Sequence, residues 1–579
     1  MIDRRFLLRL MVQMFVIVFV AGLVFIGCSG NDKADLVLIN GKIVTVDDSK
    51  PEAQAVAVKG DSIIAVGSNE EIEGYVGGET EIIDLAGKLV VPGFIDSHAH
   101  FLSLGKSKTR LELRYTKNWD EVVYMVANAI DKAKPGEWIL GRGWHQEKWD
   151  ARSDPEFEGY PYHTMLSSAS PYNPVILTHA SGHCIIVNEK AMQLACIDST
   201  TPDPDGGRIV RDSLGKAIGV FEENAEDLIT DVYDRYMANR TLEAIKEEIN
   251  NYVRLADQEC LSKGVTTFYD AGTSLDSIDI IKEIIDENGL GIRLNVMISD
   301  ENEKLKERIQ DYKMLGYGGN HLTVRAIKKL IDGALGSRGA WMLQPYEDLP
   351  EHTGLNTTTI SEMKEAAEIA IENGFQLCTH AIGDRGNRET MNVYEWAFKN
   401  HPDETDLRWR IEHAQHLSVQ DIPRFAKLGI IAAMQTCHCT SDAVFVIKRL
   451  GERRAEEGAY VWRKLINSGA LICNGTDAPV EDVDPIKNFY AAVTRRLADS
   501  TEFYPDQKMT REEALKSYTI NGAYAAFQEN SKGSISPGKL ADFTVLSQDI
   551  MIIPENEILN TKVVYTIVGG KVLYTNEIE

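Results

Sequence analysis

Between Pro92 and Gln528 the chain alternates short apolar runs with amphipathic stretches, and this rhythm restricts the fold more than any other feature. After a first run ending near Ile95, strand candidates fall at Thr266–Tyr269, Ile292–Ile298, Thr323–Ile331, Gly374–Thr379, Arg408–His413, Ile430–Met434 and Leu471–Gly475. Between them lie helix candidates at Leu242–Ser262, Ile360–Asn373, Arg388–Lys399 and Val419–Leu428. Apolar residues at Ile360, Met363, Ala366, Ala367 and Ala370 repeat with a helical period. Strand followed by helix, many times over, requires a parallel sheet. The count predicts an α/β fold, a (β/α)8 barrel of the TIM type over 92–528. About 102–226 is too long for a loop and is read as an insertion after the first strand, with strands of its own at Trp138–Gly141 and Val175–Thr178.

The two ends differ from this middle. Residues 29–91 and 529–579 are rich in short β-runs, which predicts one small composite β-sandwich built from both termini. Asn40-Gly41, between Leu36–Ile39 and Lys42–Val46, reads as a hairpin turn, and so does Gly569-Gly570. Residues 1–28 read as an export signal: Arg4, Arg5 and Arg9 precede an apolar run from Leu10 to Ile26. Gly27-Cys28 resembles a lipoprotein cleavage site, the alternative being an uncleaved anchor. Both readings place the fold outside the cytoplasm, held to a membrane. The formal charge of −26 argues against nucleic acid as a partner. The remaining cysteines are scattered and read mainly as small buried apolar residues. Cys437-His438-Cys439 is the one cluster among them, and nothing nearby completes four ligands.

Active residues of such barrels sit at the C-terminal ends of strands. His98 and His100 end the first strand, where positions i and i+2 share a face. His380, His413 and Asp477 end later strands. Four strand-end histidines with an aspartate are hard to explain as packing and point to a metal site, the neutral imidazole being a common ligand. A lysine in the apolar strand at Lys328-Lys329 is costly unless desolvation lowers its pKa. A neutral amine can take up carbon dioxide to form a carbamate able to bridge two cations. Alternation sends one of the pair inward without saying which.

Together with these residues, several motifs make the chain resemble the amidohydrolase superfamily, specifically the amidohydrolase family 3 group of N-substituted formamide deformylases and YtcJ-like hydrolases. They are Gly141-Arg142-Gly143-Trp144, Ser181-Gly182-His183, Asp332-Gly333-Ala334-Leu335-Gly336, Thr379-His380-Ala381-Ile382-Gly383-Asp384, Arg410-Ile411-Glu412-His413 and Thr476-Asp477-Ala478-Pro479. The resemblance selects Lys328, four residues before Asp332-Gly333, and implies one or two divalent metals, usually zinc. It implies His98, His100 and Asp477 at one metal, His380 and His413 at the other, Lys328 between them, and Asp477 as the proton carrier. His183, Trp144, His145 and His438 are expected at the substrate, and Asp384 and Glu412 behind the metal histidines. Glu223 matches an acidic position of the group. His145 stands where an acidic residue is common, and Thr436 where proline is common. The expected activity is hydrolysis of a non-peptide amide or formamide bond in a small molecule. Deamination or ester hydrolysis on the same scaffold is the alternative, and a non-catalytic ligand-binding surface lipoprotein is the rival from another class.

Overall fold

The computed structural model describes residues 33–146, 149–179, 184–204, 207–287, 289–336 and 338–576. The export signal and His183 lie outside these residues, and so does the side chain of Glu223.

Eight parallel strands form the barrel: β1 (Phe94–Ala99), β2 (Val265–Thr273), β3 (Arg293–Ile298), β4 (Leu322–Leu330), β5 (Gln376–Ala381), β6 (Arg410–His413), β7 (Ile431–Met434) and β8 (Ile472–Asn474). They pair in sequence order from β1 to β8. Their residues are buried on both faces, as the near-continuous apolar runs require. The seam between β8 and β1 is closed by a carboxylate rather than a full ladder. Asp96 accepts from Thr476 N at 3.0 Å and from Thr476 Oγ1 at 2.5 Å. Asp477 N donates to His98 O at 2.7 Å. A Cβ on Gly475 would stand 2.3 Å from His98 N, so only glycine permits this approach.

The insertion carries a six-stranded sheet of its own, including Ile139–Trp144, Val175–His179, Cys184–Val187 and Ala217–Glu223. It leaves the barrel after β1 and returns through the helix Leu242–Ser262. The sandwich has one sheet of four strands from the N-terminal part and one of six. The second joins Leu89–Pro92 to Phe543–Leu546, and through it to Val563–Val568 and Lys571–Thr575. The sandwich is tied to the barrel by Arg293 of β3, which donates to both oxygens of Asp542 at 2.8 and 2.9 Å.

The expected hairpin at Asn40-Gly41 does not form. Leu36–Ile39 pairs with Ala55–Lys59 and Glu81–Asp84, whereas Lys42–Val44 pairs with Glu52–Ala53 and Leu89–Pro92 in the other sheet. The dipeptide carries the chain from one sheet to the other. Asn40 still takes the left-handed conformation, φ 55°, and Gly41 passes so close to Leu85 that a Cβ would lie 2.4 Å from its Cδ1. Gly569-Gly570, both with positive φ, does turn a hairpin between adjacent strands.

Candidate metal and active site

The strand ends bring the expected residues to one cavity of about 530 Å³. His100, Lys328, His380, His413 and Asp477 line it. His98 lies beneath them, fully buried. Register explains most of the placement. Lys328, Cys378 and Arg410 are level across β4, β5 and β6, and so are Leu330, His380 and Glu412 two residues further on. All of these share the inward face. Lys329 therefore points outward, where its Nζ donates to Asp300 O at 2.9 Å. The structure places Lys328 at the site on geometry alone.

Alternation would send His413 outward, since Glu412 before it points in. A left-handed backbone, φ 72°, turns its ring back. The ring then sits 4.5 Å from that of His380 and 4.7 Å from that of His98, centroid to centroid. Asp477 is likewise left-handed, φ 57°. Strained backbone of this kind is held by its surroundings and is common at functional sites.

The Asp477 carboxylate is the hub. Its Oδ1 is 3.2 Å from His100 Nε2 and 3.7 Å from His98 Nε2, and its Oδ2 is 3.7 Å from His438 Nε2. Donor atoms of His98, His100 and Asp477 lie within 4.8 Å of one another, and so do those of His413, His438 and Asp477. His98 Nε2, His380 Nε2 and His438 Nε2 are buried with no hydrogen-bond partner. Buried imidazole nitrogens left without partners around an ionised carboxylate fit a cation. Burial, then the Lys328 charge, push His98 down to about 4 and His380 to about 3. Burial and His380 push His413 well down too. Burial would raise Asp477, but the His100 ring and neighbouring imidazoles hold it well below the usual range. Burial also lowers the Lys328 amine. Neutral imidazoles and an ionised carboxylate are the forms that bind metal.

Behind the site, Glu412 accepts from His98 Nδ1 and from Arg410 Nε and Nη2, the latter two at 2.8 Å. Burial pushes Glu412 up, but Arg410 and His98 override it and leave the carboxyl at about 2. Gln435 Oε1 takes His413 Nδ1 at 2.7 Å.

The expectation for Asp384 is corrected. Its Oδ1 accepts from Leu343 N at 2.7 Å, and the nearest imidazole is His416 at 3.9 Å, which is not at the site. The carboxylate beside His380 is Asp332, 3.6 Å from Nε2 and holding the N–H groups of Trp341, Ile382 and Gly383. Trp144 is also corrected. It is fully buried in the insertion core, its indole donating to Leu177 O at 2.9 Å, and presents no face to a substrate. His145 packs against His179, ring centroids 4.6 Å apart, and does not line the cavity. His438 does line it. The Cys437-His438-Cys439 triplet does not act as one group, because Cys439 points into the core. Sequence reasoning missed Asp332, Arg410, Gln435 and Asp442. The last was detectable, since His438, Asp442 and Phe445 stand at i, i+4 and i+7 in the helix Thr436–Leu450.

Residues 81–574 match the family described as the amidohydrolase family. Over 93% of its length the chain is 34% identical to Protein LONG AFTER FAR-RED 3 of Arabidopsis thaliana, covering 92% of that protein. It is 30% identical to the putative amidohydrolase YtcJ of Bacillus subtilis, over 92% of the chain and 98% of the relative. It is 27% identical to the N-substituted formamide deformylase of Arthrobacter pascens, over 93% and 98%. Among solved structures, a metal-dependent hydrolase from Pyrococcus horikoshii superposes with a TM-score of 0.71 at 26% identity, covering 90% of this chain and 99% of that one.

Proposed function

This chain belongs to the amidohydrolase family, and on that premise we propose that it hydrolyses a non-peptide carbon–nitrogen bond of amide or formamide type. The observation that carries the reading is the convergence of open, buried imidazole nitrogens on the Asp477 carboxylate at the mouth of the barrel. The donor set of nitrogen and carboxylate oxygen suits zinc. His98, His100 and Asp477 would hold one ion, and His380, His413 and carbamylated Lys328 a second. When bound, the metal supplies a water acidic enough to ionise near neutral pH and polarises the substrate carbonyl.

Asp477 takes the proton that the attacking water gives up, as the water oxygen bonds to the carbonyl carbon. It then returns that proton to the nitrogen as the carbon–nitrogen bond breaks, leaving an acid and an amine. Glu412 fixes His98 with Nδ1 protonated and Nε2 free to bind. The formamide deformylase relative supports amide over ester or deaminase chemistry. His183 is proposed at the oxyanion from its motif alone. Export and membrane attachment are likewise proposed from residues 1–28. Among the described residues, no helix is long and apolar enough to cross a membrane.

The test is the metal content of the chain without residues 1–28, as wild type and Lys328→Ala, beside hydrolysis of a panel of N-acyl compounds and formamides. About two zinc equivalents, falling with activity on mutation, are expected. One equivalent that survives the mutation would remove the bridging lysine. No metal and no turnover after zinc is restored would overturn the reading.

A further inference from the structure

The far wall of the cavity carries a charge that the hydrolytic chemistry does not use. The helix Thr436–Leu450 leaves the C-terminal end of β7 with His438 beside Asp477. Asp442 and Phe445 continue the same stripe, and all three line the cavity. At 1.5 Å per residue, Asp442 lies about 6 Å and Phe445 about 10 Å along the helix axis from His438. Asp442 is fixed by one oxygen only: its Oδ2 accepts from Tyr460 Oη at 2.6 Å and from Gln415 Nε2 at 3.1 Å. Glu481 lines the same space, close enough that its charge raises Asp442 further after burial has done so. Among the described residues neither carboxylate has a lysine or arginine within ion-pair reach. The guanidinium over the Phe445 ring, that of Arg449, is committed to Asp348 and to Gly336 O. The cavity wall also carries the apolar side chains of Leu330, Leu335, Ile382 and Val480. Between this wall and the metal ligands, His438 Nε2 is buried, unpartnered and aimed into the cavity.

A carboxylate pair among apolar walls is costly unless a cation joins it. An acceptor oxygen left open, apolar side chains and an aromatic face beyond it describe a ligand with an ammonium group on a short hydrophobic arm. The chain's charge of −26 adds long-range attraction for such a ligand. We propose that the enzyme selects amides bearing a cationic nitrogen on the arm that runs along the helix Thr436–Leu450, recognised by Asp442 with Glu481. This rests on the reading of the site as an amidohydrolase.

The test uses two matched pairs of substrates with the zinc-loaded chain lacking residues 1–28. One pair is N-formyl-para-(aminomethyl)benzylamine and its neutral para-ethyl analogue. The other is the amide of para-(aminomethyl)benzoic acid and its para-ethyl analogue, which moves the charge to the acyl side. Turnover is followed by amine release, and binding by calorimetry at a temperature where turnover is slow. In at least one pair the cationic member should be preferred by about tenfold or more, as for loss of a partly desolvated charge pair. Asp442→Asn should collapse that preference with zinc content unchanged. Glu481→Gln, at the carboxylate with no hydrogen-bond role in the core among the described residues, should reduce it by a smaller factor and serves if Asp442→Asn does not fold. Equal kcat/KM and equal affinity within both pairs, or a preference that survives both variants, would overturn the inference while leaving the hydrolase reading intact. Tight, Asp442-dependent binding of the cationic member with no hydrolysis of any compound would uphold the recognition and defeat the hydrolase reading instead.

Discussion

Glu412→Gln should weaken the fold and the metal site for two different reasons, and a second variant separates them. Arg410 is 1% exposed, and Glu412 and His98 not at all. Gln keeps the shape of Glu412 but leaves the Arg410 guanidinium buried with no counter-charge. Breaking a buried pair in this way costs about 3–5 kcal/mol. His98 loses the carboxylate that orients it, which costs about 10–100-fold in metal affinity. Removing both charges with Arg410→Met/Glu412→Met should restore most of the stability, to within about 1–2 kcal/mol of wild type, because the neighbours Tyr269 and Cys378 accept an apolar chain. Zinc affinity should stay low in the double variant. Denaturant midpoints of the metal-free protein read the first effect, and competition with a chromophoric chelator reads the second. A double variant that binds zinc as tightly as wild type would refute the argument, since Glu412 would then serve Arg410 alone.

Other outcomes are as specific. Lys329→Ala, unlike Lys328→Ala, should leave zinc content and kcat/KM within about twofold of wild type, because its amine faces Asp300 O outside the barrel. Gly475→Ala drives a Cβ to 2.3 Å from His98 N and should cost about 3 kcal/mol or more, read as a lowered urea midpoint together with lost zinc. Burial raises Asp257 from 3.8 to about 6, although one of its oxygens accepts from Gly291 N and Ile292 N. A raised carboxylate contributes stability that is full below the unfolded pKa and lost as pH rises through the folded one. Asp257→Asn keeps both acceptor bonds, so it should match wild type near pH 4 and exceed it by about 1–3 kcal/mol above pH 7, as urea midpoints at the two pH values will show. Stripping zinc with a chelator should lower stability by about 4 kcal/mol relative to protein held at a thousandfold excess over Kd, read as a thermal shift.

The barrel was legible because each of its strands is an apolar run long enough to be buried on both faces, and because the polar residue that ends each run breaks the pattern where the barrel opens. The choice between Lys328 and Lys329 was not legible from alternation, because the phase of a strand is set by its neighbours' register. Asn40-Gly41 misled for the same reason. A two-residue turn signal is local, and here the runs on either side find their partners in two different sheets. His413 is the sharpest case. Its inward ring depends on a left-handed φ that nothing in Arg410-Ile411-Glu412-His413 announces. Trp144 and Asp384 show the limit of motif likeness, which names a residue but not the side it faces. Asp332 and Gln435 could not be assigned from spacing, because each meets its histidine only through the tertiary fold.

The β8–β1 seam is closed at the same residues, His98 and Asp477, that are proposed to hold a metal. Asp96 grips Thr476, whose neighbours Gly475 and Asp477 lie against the backbone of His98. Arg410, which pairs with Glu412 behind His98, also donates to Ser97 O at 2.6 Å. Any shift that opens the seam therefore moves His98 and Asp477 apart, and any ion that joins them holds the first and last strands together. With only Ile472–Asn474 in ladder form, β8 is a short strand to end a barrel on. Its side-chain clamp supplies what missing ladder bonds do not. An ion held by His98 and Asp477 would thus help to close the fold, and its binding free energy would add to folding free energy.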